Sequence, residues 1–482
     1  MLAGSLSNLG FRRTWWRRCL GTLLLCTSFA WPGFAQTERW QQLDTRASEL
    51  TRSGTYAEGA SVAQEALEVA EATFGSIDLR VAISLNRLAL LRLRMGMYSA
   101  AESLYQLALV IREQSLGPEH PVVAESLNEL ASFYESQNRL TDAEPLYRRA
   151  LAIRENVFGR EHPDVAESLN GLAGVYYDQH KYDDAESLYQ RALAIRQKAL
   201  GAEHLDVAET FSGLATLYET QKKFAEAEML QHRALTIREK VLGPEHPDVA
   251  ENLIGLADID YDQSRYVDAE PLYLRALQIR EKAFGLEHRI VAASLHDLAG
   301  VYYAEGKYDE AGRLYQQAIV IDERALGPER RAVATMLDGL AGVYYAQGRY
   351  ADAEPIYRRG LSILERVLGP EHPAVALDLY YLAGVYYAER KYSDAEPLYQ
   401  RALAIREKAL GPEHPDVAAS LYSLANSYYA QGRYADAEPL YQRALAIREK
   451  GLGLGHPDTV QIVGSLSNLY LAEKSMPMQN LF

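Results

Sequence analysis

Cysteine is nearly missing, since Cys19 and Cys26 are the only two in 482 residues. Both fall within the first 35 residues, so a chain cut after Ala35 would hold none. That excludes a disulfide framework, thiol chemistry and a cysteine metal site. Positive charge is also short: 50 basic residues stand against 65 acidic ones. An acidic protein is a poor partner for nucleic acid or anionic membrane and a better one for basic or neutral segments. Long apolar runs are missing too. The one at residues 19–31 is too short to span a bilayer comfortably. No Gly/Ser linker, proline-rich tract or charge block divides the chain, which overrules the several domains that length alone suggests.

What is present is a period. Residues 409–450, ALGPEHPDVAASLYSLANSYYAQGRYADAEPLYQRALAIREK, recur with substitutions along nearly the whole chain. Glycine closes each unit at Gly75, Gly117, Gly159, Gly201, Gly243, Gly285, Gly327, Gly369, Gly411 and Gly453, always forty-two residues apart. Within a unit, Val417, Leu421, Leu424, Ala425 and Tyr428 mark one face of a first helix that ends at Gly432. Tyr434, Ala437, Tyr441, Ala444, Leu445 and Ile447 mark a second helix running to Gly453, with Pro439 in or near its opening turn. Small residues at Ala425, Ala437 and Ala444 let the two backbones approach closely, giving a packed helical hairpin. The connector Gly411-Pro412-Glu413-His414-Pro415 fits a left-handed glycine past one helix and a proline at the first turn of the next.

Leu424, Ala425, Tyr428, Gly432, Tyr434, Ala437, Tyr441 and Ala444 fall on the signature spacing of the tetratricopeptide repeat, which the unit resembles. The usual unit has about 34 residues. The longer unit here, with its IREKALGPEHPDVA segment, is similar to the repeats of kinesin light chains and related bacterial proteins. The resemblance implies an all-α, α-α superhelix, here about ten hairpins over residues 36–473 with a C-terminal capping helix. It also implies a non-catalytic scaffold that binds a protein or peptide, with no cofactor. The alternative is an accessory or organising subunit of an envelope-located enzyme or export complex.

The ends differ from the repeats. Residues 1–35 carry no acidic residue, four arginines (Arg12, Arg13, Arg17, Arg18) and the apolar run, the layout of a secretory signal peptide cleaved after Ala35. Retention as an uncleaved anchor is the competing reading. Removing those four arginines from the 50 basic residues leaves 46 against 65 acidic ones, a net charge of −19. Export to the periplasm or medium follows. Residues 38–53 and 56–74 read as a degenerate first hairpin, and 457–473 as a lone capping helix with Gln461, Ser465, Asn468 and Glu473 on a polar outer face. Residues 474–482 read as a disordered tail.

Candidate chemistry is sparse. His120, His162, His204, His246, His288, His372, His414 and His456 share one register in the inter-unit loop. Equivalent loops on neighbouring hairpins should stand roughly 10 Å apart, whereas ligands of one zinc lie about 2 Å from it, so these read as helix-start residues. Residues 300–307 lack the spacing of a phosphate loop.

Tetratricopeptide arrays present their first helices on the concave face, and the resemblance carries three rows onto this sequence. The aromatic row includes Tyr177, Tyr261, Tyr303, Tyr345, Tyr387 and Tyr429, with Leu93, Glu135 and Glu219 at the same register. The amide row begins Asn86, Asn128 and Asn170; the acidic row is Glu125, Glu167, Glu209 and Glu251. Mid-helix asparagine is a mediocre helix former, and in similar repeats such residues hold an extended peptide backbone. Packing between neighbouring helices is the other reading of both the Asn and the Tyr rows. A carboxylate clamp would need Lys and Arg here, and only Arg94 qualifies nearby. Asp260, flanked by Asp258 and Asp262, replaces an expected tyrosine and marks either a weak point or a polar contact.

Overall fold

The structure, a computed structural model, describes residues 32–53 and 55–475. The described residues form helices and turns only, in the order α1 Pro32–Arg52, α2 Tyr56–Phe74, α3 Leu79–Arg94, α4 Tyr98–Leu116, α5 Pro121–Ser136, α6 Leu140–Phe158, α7 Pro163–Asp178, α8 Tyr182–Leu200, α9 Leu205–Thr220 and α10 Phe224–Leu242. There follow α11 Pro247–Asp262, α12 Tyr266–Phe284, α13 Arg289–Ala304, α14 Tyr308–Leu326, α15 Arg331–Ala346, α16 Tyr350–Leu368, α17 Pro373–Ala388, α18 Tyr392–Leu410, α19 Pro415–Ala430, α20 Tyr434–Leu452 and α21 Pro457–Ser475. They fall into two compact units. Unit 1 ends at Gly243 and holds α1–α10; unit 2 begins at Pro244 and holds α11–α21. Each contains five antiparallel hairpins, and unit 2 adds the closing helix.

The helix limits follow from local chemistry. Eight odd-numbered helices start at a histidine; His162, extended at φ −78° and ψ 143°, accepts from the Asp164 amide through Nδ1 at 3.2 Å. The same bond recurs at His120, His204, His246, His288, His372 and His414, and His456 makes it at the head of α21. Each ring thus satisfies one of the amides that a helix start leaves orphaned. The even helices stop at the periodic glycines, of which Gly411 has φ +86°. The turn inside a hairpin also needs a left-handed residue. Gly432 supplies it in one, but Asn138, His180, Lys222, Ser264 and Arg390 adopt it at φ 57–61° despite their side chains.

The core is a line of small and medium side chains. In unit 2, Ala425, Ala437 and Ala444 are wholly buried, as the close-approach reading requires. Glycine serves the tyrosines of the preceding hairpin: a Cβ at Gly339 would fall 2.5 Å from Tyr315 Cε1, and one at Gly171 would fall within 2.3 Å of Tyr147 Cε1. Pro439 stands at the sixth position of α20, one turn deeper than expected. Lacking an N–H, it leaves the carbonyl of Ala435 without its helical donor.

The ends depart from expectation by a few residues. The first helix begins at Pro32 rather than residue 38, so the boundary after Ala35 falls inside α1. Residues 1–31, most of the expected leader, lie outside the described residues. The closing helix reaches Ser475, two residues past the expected limit, and the tail from 476 onward also lies outside them.

Candidate functional site

The odd helices carry all three expected rows, and the structure treats each row differently. In the aromatic row every tyrosine packs one edge against the tyrosine that opens the next helix. Ring centroids are 5.6 Å apart for Tyr303 and Tyr308, and 5.3 Å for Tyr261–Tyr266, Tyr345–Tyr350, Tyr387–Tyr392 and Tyr429–Tyr434. In unit 1 Tyr177 lies 6.0 Å from Tyr182 and shares a hydrogen bond with Thr220 at 2.8 Å. The other edge stays open: Tyr303 and Tyr345 are each 39% exposed, and Tyr261 36%. Packing and accessibility are therefore both properties of this row.

Within unit 2 these rings gather around a recess of 380 Å³. Tyr303, Tyr345 and Tyr387 line it together with Tyr357, Tyr380, Tyr381 and Tyr399, with Gly342 and Gly384 in its wall and Ser423 and Asn426 at one end. Tyr357 and Tyr381 are stacked at 5.8 Å, and Tyr380 meets Tyr399 edge-on at 5.6 Å. Tyr261 and Tyr429 lie outside this lining. The second-helix residues Tyr357 and Tyr399 were not visible as site residues in the sequence, because their register matches the core tyrosines Tyr147 and Tyr189 of other repeats.

The amide row turns inward. Asn86 and Asn128 are buried, while Asn170 is half-buried. Asn86 donates to Glu129, Asn128 Oδ1 accepts from Ser168 at 3.2 Å, and Asn170 reaches Glu209 at 3.5 Å. Each asparagine ties one helix to the next, which is the packing role, yet each keeps one unpaired amide atom: Asn86 Oδ1, Asn128 Nδ2 and Asn170 Oδ1.

The acidic row is exposed but not free. Glu125, Glu167 and Glu209 face buried Arg112, Arg154 and Arg196 at 3.5, 2.9 and 3.1 Å, and Glu251 faces Arg280 at 2.7 Å. Those four arginines also donate to a buried hydroxyl on the next helix, Arg112 to Ser126 at 2.9 Å, Arg154 to Ser168 at 2.9 Å, Arg196 to Thr210 at 2.7 Å and Arg280 to Ser294 at 2.7 Å, and Arg406 does the same to Ser420 at 2.8 Å. The row is thus the outer end of a repeated arginine tie, and its pull on a basic ligand is correspondingly reduced. Other carboxyls are less well answered. Desolvation raises the pKa of Glu129, helped by Glu125 and Glu167 and opposed by Arg112, although water reaching its side chain tempers the effect. Glu135, which accepts from Tyr147 at 2.9 Å, is pushed up to about 7 by burial.

The arginine itself is lost at two successive junctions. At its register stand Asp322 and Leu364, and the hydroxyl register there holds Met336 and Asp378. Asp378 is 1% exposed and faces Asp338. Gly360, where the other even helices from α4 on carry alanine, makes the room: a Cβ there would meet Asp338 Oδ1 at 3.0 Å and Asp378 Oδ2 at 3.4 Å. Burial raises both pKa values, and each carboxyl acts on the other. Asp260 makes a polar contact, an ion pair with Arg265 at 2.5 Å. Among the described residues no group of three or more His, Cys, Asp or Glu could hold a metal ion, and no helix is long and apolar enough to cross a membrane.

These hairpins, with one glycine-ended period and a line of alanines between paired helices, define an all-α repeat solenoid. The tetratricopeptide repeat profile matches nine overlapping segments, 44–114, 80–156, 122–198, 164–230, 206–282, 253–324, 290–366, 332–408 and 376–450. The chain belongs to the tetratricopeptide repeat family, whose arrays are protein-interaction scaffolds. Its repeats are of the kinesin-light-chain-like kind. They are similar to the nearly identical repeats of a putative kinesin light chain from Podosopora anserina, at 30% identity over 43% of this chain and 97% of that one, TM-score 0.39. BtubC (BKLC) from P. vanneervenii is 26% identical over 50% of this chain and 91% of its own, TM-score 0.37. The apo form of RapI shares the fold at 16% identity, covering 77% of this chain and 98% of its own, TM-score 0.54. No curated protein matches the chain.

Proposed function

We propose that this protein is an exported, non-catalytic scaffold whose first-helix face binds an extended segment of a partner protein. The observation that carries the reading is the tyrosine-lined recess of unit 2. Tyrosine offers large amphipathic contact area with few rotatable bonds, and such residues dominate binding energy where they are half-exposed in a concave setting. The partner is basic or neutral, since the chain is acidic and no lysine or arginine lines the recess. Selection of displayed peptides against the mature chain, with counter-selection on a Tyr345→Ala, Tyr387→Ala variant, tests the reading. Peptides enriched on the wild type and rejected by the variant support it; enrichment equal on both rejects it.

A further inference from the structure

Two features of unit 2 meet where α15, α16 and α17 pack. One is the recess. The other is the Asp338–Asp378 pair, in which Asp338 Oδ1 and Asp378 Oδ2 have no hydrogen-bond donor. Asp338 stands one and two turns before Gly342 and Tyr345 of the recess on α15, and after burial its charge is among the influences that raise the pKa of the Tyr357 and Tyr381 phenols. Asp338 is half-buried on the first-helix face, at the register of Asn86, Asn128 and Asn170; Asp378 lies beneath it. In sibling repeats a guanidinium from the preceding even helix lies over this register, as Arg406 does on Ser420. Here Leu364 takes its place, so that helix offers Asp378 no guanidinium.

We propose that the recess receives a cationic side chain, a guanidinium or ammonium borne by an extended segment, with the tyrosine faces wrapping the cation and the Asp338–Asp378 pair supplying its counter-charge. This rests on the binding-face reading above and names the chemistry of its anchor. The face of an aromatic ring is electron-rich and attracts cations, most strongly where water is displaced. The rings of this region already accept one, since Arg406 sits 4.8 Å over the Tyr380 ring. Arg406 is itself held by Ser420 and by the Asp416 carbonyl at 3.1 Å, and its charge lies over the Tyr380 ring. An acidic anchor would meet phenol faces and a carboxylate pair, both repulsive.

The test uses the whole mature chain labelled with 3-fluorotyrosine and five capped pentapeptides, alanine throughout except for a central arginine, trimethyl-lysine, citrulline, norleucine or glutamate. Fluorine shifts report occupancy of the recess. The arginine and trimethyl-lysine peptides should bind at least about tenfold more tightly than the citrulline and norleucine peptides. That preference should vanish in Asp338→Asn, Asp378→Ser, a variant made of residues that the sibling repeats carry at Asn128 and Ser420 and therefore compatible with the fold. Equal binding of all five peptides, still lost in Tyr345→Ala, Tyr387→Ala, would overturn the cation assignment and leave the binding face standing. Shifts with none of them would count against both. A cation preference that survives in the aspartate variant would overturn the role of the pair.

Discussion

Arg154 of α6 donates to Ser168 of α7 at 2.9 Å, joining two hairpins through side chains that water barely reaches. The same Nη1 also donates to the Asp164 carbonyl at 2.9 Å, and Nη2 meets exposed Glu167. Hydrogen bonds from a charged donor contribute about 1.5–3 kcal/mol each. Arg154→Leu, the residue that stands naturally at 364, should therefore weaken the α6–α7 junction by about that amount. Hydrogen exchange read segment by segment should show faster exchange in α7, with α17 unchanged.

Gly339 and Gly342 lie one turn apart on α15 and should respond oppositely to alanine. At 339 the new methyl would collide with Tyr315 at 2.5 Å, a buried ring with little room to move. At 342 the nearest atom is Tyr357 Oη at 3.7 Å, an ordinary contact. Gly339→Ala should destabilise by about 1–3 kcal/mol through overpacking, whereas Gly342→Ala should stabilise by about 0.5–1 kcal/mol by restricting the unfolded chain. Denaturant titrations of the two variants decide it.

Two groups in unit 2 should give stability opposite dependences on pH. Burial, then Arg289, lowers the pKa of His288, so the unfolded chain takes up the proton first. Its cap contribution is complete above about 6.5, the ordinary histidine value, and declines as pH falls below it. His288→Asn, which caps without titrating, should flatten that decline. Asp338 and Asp378 have raised pKa values, so their folded forms hold protons the unfolded chain has released. Their penalty is absent below about 3.9, the unfolded aspartate value, and grows as pH rises. Asp338→Asn, Asp378→Ser should stabilise at neutral pH and be close to neutral in acid. Thermal melts across the range test both signs.

Export predicts a processed chain. Expressed in a bacterial host, the protein should be recovered outside the cytoplasm with Gln36 as its first residue, by N-terminal sequencing. An intact leader in the membrane fraction would favour the anchor.

The repeat was legible because one unit is copied ten times at constant length, so glycine, alanine and tyrosine registers reinforce one another. The helix starts were legible for the same reason: a periodic His-Pro step has a single physical use. The site was only partly so. Tyr303, Tyr345 and Tyr387 stand in an evident row, but Arg154 and its equivalents look like solvated charges within IRE segments, and only the packed structure turns them inward against Glu167 and Glu209. The aspartate pair was hidden because it is made of departures at separate registers, Gly360, Leu364 and Asp378, which gain meaning only when two adjacent hairpins are laid together. Asn86 and Asn128 had two readings, and each is buried with one amide atom engaged in a helix-to-helix tie.

The central claim is that the tyrosine face of unit 2 binds. Its most direct measurement is the dissociation constant of a selected peptide, by fluorescence anisotropy, for the wild type, for Tyr345→Ala, Tyr387→Ala, and for Val320→Ala, an exposed second-helix control. Loss of two aromatic anchors at about 2 kcal/mol each, even if partly redundant, should weaken binding at least about thirtyfold with helicity intact, while the control binds as the wild type does. Equal affinity for all three, with the double variant fully folded, would contradict the account.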